Sequence, residues 1–130
     1  MFSRSMKAVT LVLVLLTAGG CLAAAGAGLG AGIYLSDRGA ESLVASPIDR
    51  TYAAAQQAFR EMGISEEKTV TEPSERQLDG KRGDKNIKVT LKSEGTSTRV
   101  EVVASEDMVV WDKELAREVL ERIVRVTKER

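Results

Sequence analysis

The chain has 130 residues, 19 basic and 19 acidic side chains, no histidine and one cysteine. Balanced charge without a clustered basic stretch argues against a nucleic-acid partner, and the absent histidine with a single thiol removes the usual zinc sites, histidine-based triads and any internal disulfide. Past the first third of the chain there is material for only one small core.

Arg4 and Lys7 open the sequence, and residues 8–36 carry no charge. Inside that run, AVTLVLVLLT is strongly apolar and Ala18, Gly19 and Gly20 are small. A basic start, a short apolar stretch and small residues at its end are the parts of a secretory signal, here residues 1–20. The alternative is an uncleaved span, because the uncharged run exceeds the roughly 20 residues a membrane helix needs. That alternative weakens after Cys21, where LAAAGAGLGAG offers little apolar surface per residue.

The stretch LTAGGC, residues 16–21, resembles the lipobox of bacterial lipoproteins, in which a small residue precedes the cysteine. The resemblance implies cleavage before Cys21, a diacylglyceryl group on its thiol and a fatty acyl chain, such as palmitate, on the new amine. Several acyl chains anchor stably where one binds only marginally, so Cys21 is the expected lipidation site and the membrane the expected partner. A chain starting at Cys21 loses Arg4 and Lys7 and has two more acids than bases. Leu22, rather than Asp, follows the cysteine. This is similar to lipoproteins sent to the outer membrane in some Gram-negative bacteria. The expected location is the cell envelope, facing the periplasm, at the outer membrane in preference to the inner.

Residues 21–45 read as a lipidated Gly/Ala-rich tether. Gly26 and Gly30, like Gly28 and Gly32, have the spacing at which membrane helices pack closely. The simpler expectation is a pliable spacer that lifts the domain off the bilayer.

The folded domain is expected over residues 46–130. Ser46 suits a helix cap, Pro47 the first helical position and Asp49 the positive end of the helix. Ile48, Tyr52, Ala55, Phe59 and Met62 share one helical face, and Gly63 ends the helix. A strand is expected near residues 64–71, closed by Pro73 and Ser74. IKVTLKSEGTSTRVEV then gives the strongest strand signal, with Ile87, Val89 and Leu91 alternating with polar residues. A two-residue turn at Gly95 and Thr96 pairs Leu91 with Val100, Val89 with Val102 and Ile87 with Ala104. A turn at Gly83 and Asp84 sets Leu78 opposite Val89.

Asp112 caps the terminal helix, whose stripe is Leu115, Val119, Ile123 and Val126, widened by Ala116 and Leu120. Glu118 with Arg122 and Glu121 with Arg125 stand four apart on its wet face. The predicted fold class is therefore α+β: helix, antiparallel β-meander of three to four strands, helix. Both helices lie on one sheet face, since no element can bury its stripe alone.

No catalytic residue, metal site or cofactor is expected. Glu66 and Glu67 point to opposite sides of a strand, and Glu106 and Asp107 read as turn formers. The candidate partner-binding residues are Lys88, Lys92, Arg99 and Trp111. Lys92 and Arg99 face each other across the exposed side of the hairpin, where like charges cost stability. They suit an anionic envelope component or an acidic protein patch, unless Glu94 and Glu101 screen them. Val109, Val110 and Trp111 form an apolar cluster in which Trp111 is expected to plug the end of the core, with partner contact as its second role.

The order of these features resembles a known family. A lipobox, a small-residue tether with Ile33-Tyr34-Leu35, an alanine-rich helix ending MGI, strands VTL and TRVEV and a terminal helix are similar to small bacterial lipoproteins carrying a single domain of unknown function, the 3568 type. The resemblance implies location and fold and carries over no catalytic residue. The expected role is a membrane-anchored envelope lipoprotein acting as a non-catalytic binding or structural module. The alternatives are a small envelope enzyme using Ser, Lys or carboxylates, and an uncleaved single-span protein with a glycine-zipper helix.

Overall fold

The computed structural model describes residues 32–107 and 110–129. The signal segment, Cys21 and the tether as far as residue 31 lie outside the described residues, as does Val109. Nine elements follow: β1 (Tyr34–Leu35), β2 (Gly39–Val44), α1 (Ile48–Glu61), β3 (Ser65–Thr71), β4 (Glu75–Arg82), β5 (Lys85–Glu94), β6 (Ser97–Glu106), β7 (Val110–Trp111) and α2 (Lys113–Glu129). All strand pairs are antiparallel, in the order β1-β2-β6-β5-β4-β3, with β7 also paired to β6.

The expected meander is present as β3 to β6, but three to four strands is an undercount for this seven-stranded sheet. The correction lies mostly in residues read as tether. Gly39–Val44 runs along β6, with Ala40 opposite Val102 and Ser42 opposite Val100. Ala40, Ser42 and Val44 are buried while Leu43 is exposed. Two of the three inward positions are small or polar, so the alternation that marks a half-buried strand is muted in the sequence. β1 and β7 have two residues each, too few to show any period.

The turns form as expected. Gly83 and Gly95 take φ of +60° and +69°, the positive value that a two-residue hairpin turn requires of its first position. Leu91 pairs with Val100, Val89 with Val102, Ile87 with Ala104, and Leu78 with Val89. These residues make the inward sheet face, and both helices share one core with it: Phe59, Ala55 and Ala58 from α1 and Leu115, Val119, Leu120 and Ile123 from α2. Tyr52 and Met62 pack at its margin. The alanines of α1 do more than mark a helix. Ala54 and Ala58 are fully buried, and such small side chains let α1 lie close to α2.

The ends of α1 follow from single residues. Gly63 has φ +68°, its N–H bonds the Arg60 carbonyl, and the Ile64 N–H bonds the Phe59 carbonyl at 2.8 Å. This is the Schellman stop, with Ile64 folding back over Phe59. Gly80 in β4 makes room for both, since a Cβ there would stand 2.6 Å from Ile64 Cγ2 and from Phe59 Cε2. At the other end Pro47, not Ser46, occupies the cap position and contributes no side-chain bond. Ser46 stands one residue too early to reach the free N–H groups, and its buried hydroxyl has no partner among the described residues. Asp112 does cap α2, accepting the Leu115 N–H at 3.0 Å. The ion pairs on α2 differ from expectation. Arg122 crosses to Glu61 of α1 at 3.3 Å, and Arg117 approaches Glu121 at 3.9 Å. A partner on the neighbouring helix lies within reach of Arg122, so Glu118 is left in solvent.

Candidate functional site

Since most apolar strand residues turn inward, the opposite sheet face is left largely to polar side chains, and no helix among the described residues covers it. Register sets its rows. Asp79 stands beside Lys88 and Lys88 beside Val103; Asn86 stands beside Ser105 and Ser105 beside Trp111. Next along the strands come Thr90 with Glu101, then Lys92 with Arg99.

Lys88, Lys92, Arg99 and Trp111 thus share one face, but they are not one site. Arg99 is not free. Its guanidinium meets Glu94 at 3.1 Å and Glu41 of β2 at 2.8 Å, and these carboxylates, Glu94 first, raise its pKa and keep it charged. The like-charge pair with Lys92 is therefore offset by a carboxylate that entered the sheet with β2. Lys92 is exposed and has no ion pair among the described residues.

Lys88 and Trp111 do come together. They line a groove of about 540 Å³ on the open face, with Arg38, Asp79, Asn86 and Glu101 among the other walls. The Trp111 assignment needs correction. β7 pairs with β6 through Ser105, an outward position, so Trp111 takes the outer face and does not plug the core. It remains 39% exposed, with the Arg38 guanidinium 5.4 Å from its ring centre, within cation–π range. Arg38, like Asp79 and Asn86, is a site residue that the sequence did not point to. It sits in the turn between β1 and β2, and nothing in its neighbours ties it to a tryptophan more than seventy residues later.

On the opposite, helix-bearing side of the sheet, Lys85 ties the start of α2 to the β5–β6 pair. Lys85 bonds Asp112 at 3.1 Å and Glu106 at 3.5 Å. Asp112 lies below the usual carboxylate range, first because it accepts the Leu115 N–H and then because of Lys85; Lys85 is raised in turn, chiefly by Asp112. The groove itself offers two cations, Arg38 and Lys88, the three carboxylates of Glu67, Asp79 and Glu101, an amide and an aromatic ring. That set suits a polar, uncharged or mixed-charge ligand that stacks on Trp111 better than a strong anion. Among the described residues, no three His, Cys, Asp or Glu side chains are grouped to hold a metal, and no helix is long and apolar enough to cross a membrane.

One family model, described as a protein of unknown function (DUF3568), matches residues 5–123, which takes in the apolar run and Cys21 as well as nearly all of the sheet and helices. No curated protein matches the chain.

Proposed function

The chain belongs to the DUF3568 family, and we propose that it is a lipid-anchored envelope protein that works by binding, through the open face of its sheet. The anchoring part rests on LTAGGC, which ends the uncharged run at Cys21. The binding part is carried by one observation: the groove of about 540 Å³ beneath Trp111 and Arg38, on a face that the core does not use. Ligand sites are commonly concave, with a few convergent polar groups and an aromatic wall. Nothing in the groove pairs a nucleophile with a base. Of its carboxylates, Asp79 accepts two bonds from Gln77 at 3.2 Å. A role in binding uses every group present; a role in catalysis has no evident reacting centre. The anionic partner expected from Lys92 and Arg99 is the less favoured ligand, because Glu41 and Glu94 already answer Arg99.

The test is a photo-crosslinking residue at Lys88 in living cells, with Glu118 on the exposed side of α2 as control. Adducts from position 88 and none from 118 are the expected result. Turnover of an envelope substrate by the purified protein, lost in Asp79→Asn, overturns the non-catalytic reading.

A further inference from the structure

Of the five large apolar side chains exposed among the described residues, four fall at one corner of the sheet, and Leu43 lies apart, opposite Arg99. Tyr34 is 73% exposed, Leu35 59%, Val110 59% and Trp111 39%. Their positions follow from register. Leu35 lies beside Ala40, Gly39 beside Val103, and Trp111 beside Ser105, so β7 continues the lane of β2 along β6. The same register puts Tyr34 and Trp111 on the open face and Leu35 and Val110 on the helix-bearing face, so the four flank the sheet's edge from both sides. With about 4.8 Å between strands and 3.3 Å per residue, the four backbone positions lie within roughly 20 Å of one another. Arg38 lies over the Trp111 ring in their midst.

This corner is also where the described chain meets the segment that leads back to Cys21. Twelve residue steps separate Cys21 from Ile33, which even fully extended is at most about 40 Å. Resting on the anchoring read above, that length holds the β1 end of the domain at the bilayer and raises its effective concentration there, so a small apolar patch is enough. The composition fits the interfacial zone. Tyr and Trp gather at the headgroup level, and an Arg beside them buries its stem while its charge stays wet. Charge does not drive the contact, because Asp37 offsets Arg38 in the same turn.

We propose that Tyr34, Leu35, Val110 and Trp111 form a membrane-docking corner that enters the interfacial layer of the bilayer carrying the anchor. Docking fixes the orientation of the domain and opens the groove beside Trp111 at the membrane surface.

Trp111 is the only tryptophan in the sequence, so its fluorescence reports on this corner alone. The experiment uses the full lipidated chain, made in bacteria that process lipoproteins and reconstituted in phosphatidylcholine vesicles with brominated acyl chains. Bromine near the headgroup end should quench Trp111 by about half, with little effect of salt, and deep bromine should quench less. Leu35→Asn with Val110→Asn should lose most of the quenching and still float with the vesicles. A chain that floats but shows no quenching overturns the docking corner and leaves the anchor intact. A chain that stays in the aqueous fraction overturns the anchor, and docking with it. Copies joined through a crosslinker at Leu35, without quenching, assign the corner to a second copy and likewise overturn the proposal.

Discussion

A methyl group added at Gly80 has no space to occupy, because Ile64 Cγ2 and Phe59 Cε2 already stand 2.6 Å from where it would sit. Gly80→Ala is expected to cost about 1–3 kcal/mol by overpacking, read as a lower denaturation midpoint. Gly63 has open space around it but a φ of +68°. Gly63→Ala is expected to cost about 1 kcal/mol through backbone strain, of which Gly63→Asn recovers part. Recovery by Asn at position 80 instead would contradict the packing account. Asp112 gives a pH-dependent case. Its folded pKa is depressed, so its charge contributes stability above the unfolded value of about 3.9, and that contribution is lost as pH falls through the lower folded value. Asp112→Ala is expected to cost about 1 kcal/mol at pH 7 through the lost cap. Asp112→Asn keeps a cap and should cost less, with a gap to wild type that closes as pH falls below the folded pKa of Asp112. A gap that widens on acidification contradicts the assignment. The cap was legible because Asp precedes a clean helical stripe; Gly80 was not, because its role depends on Phe59 and Ile64 arriving from α1.

Among the elements, the ones with strong periodicity were readable to the residue. The β5–β6 hairpin has the register expected from its alternation and its glycine turn, and the α2 stripe is buried throughout. What escaped was β2, whose inward residues are Ala40, Ser42 and Val44, and the short strands β1 and β7. The partner of β2 is distant in sequence, so only the closed sheet defines it, and two residues each are too few to show a period in β1 and β7. The consequence is testable. A chain beginning at residue 46 keeps every element expected from sequence but lacks β2, leaving the β6 edge and part of the apolar side of α2 uncovered. It should lose cooperative thermal unfolding, followed by near-ultraviolet circular dichroism, whereas a chain beginning at residue 32 should retain it. Equal Tm values for both would show that β2 is dispensable.

At the scale of the whole molecule, the sheet divides the labour. One face and two helices make the core, and the other face is free for Lys88, Asp79, Glu101 and Trp111 to line a groove. The face was legible from alternation alone. The grouping upon it was not, because Arg38 and Glu41 come from β2 and its turn, and they respectively complete the Trp111 wall and satisfy Arg99. The account depends most on where this domain is held, and that turns on Cys21. The most direct measurement is the intact mass of the protein extracted from membranes, for the wild type and for Cys21→Ser. The account predicts a wild-type chain that begins at Cys21 and carries the added mass of acyl chains, with Cys21→Ser uncut and unmodified. A wild-type mass equal to that of the whole 130-residue chain, without lipid, would contradict it.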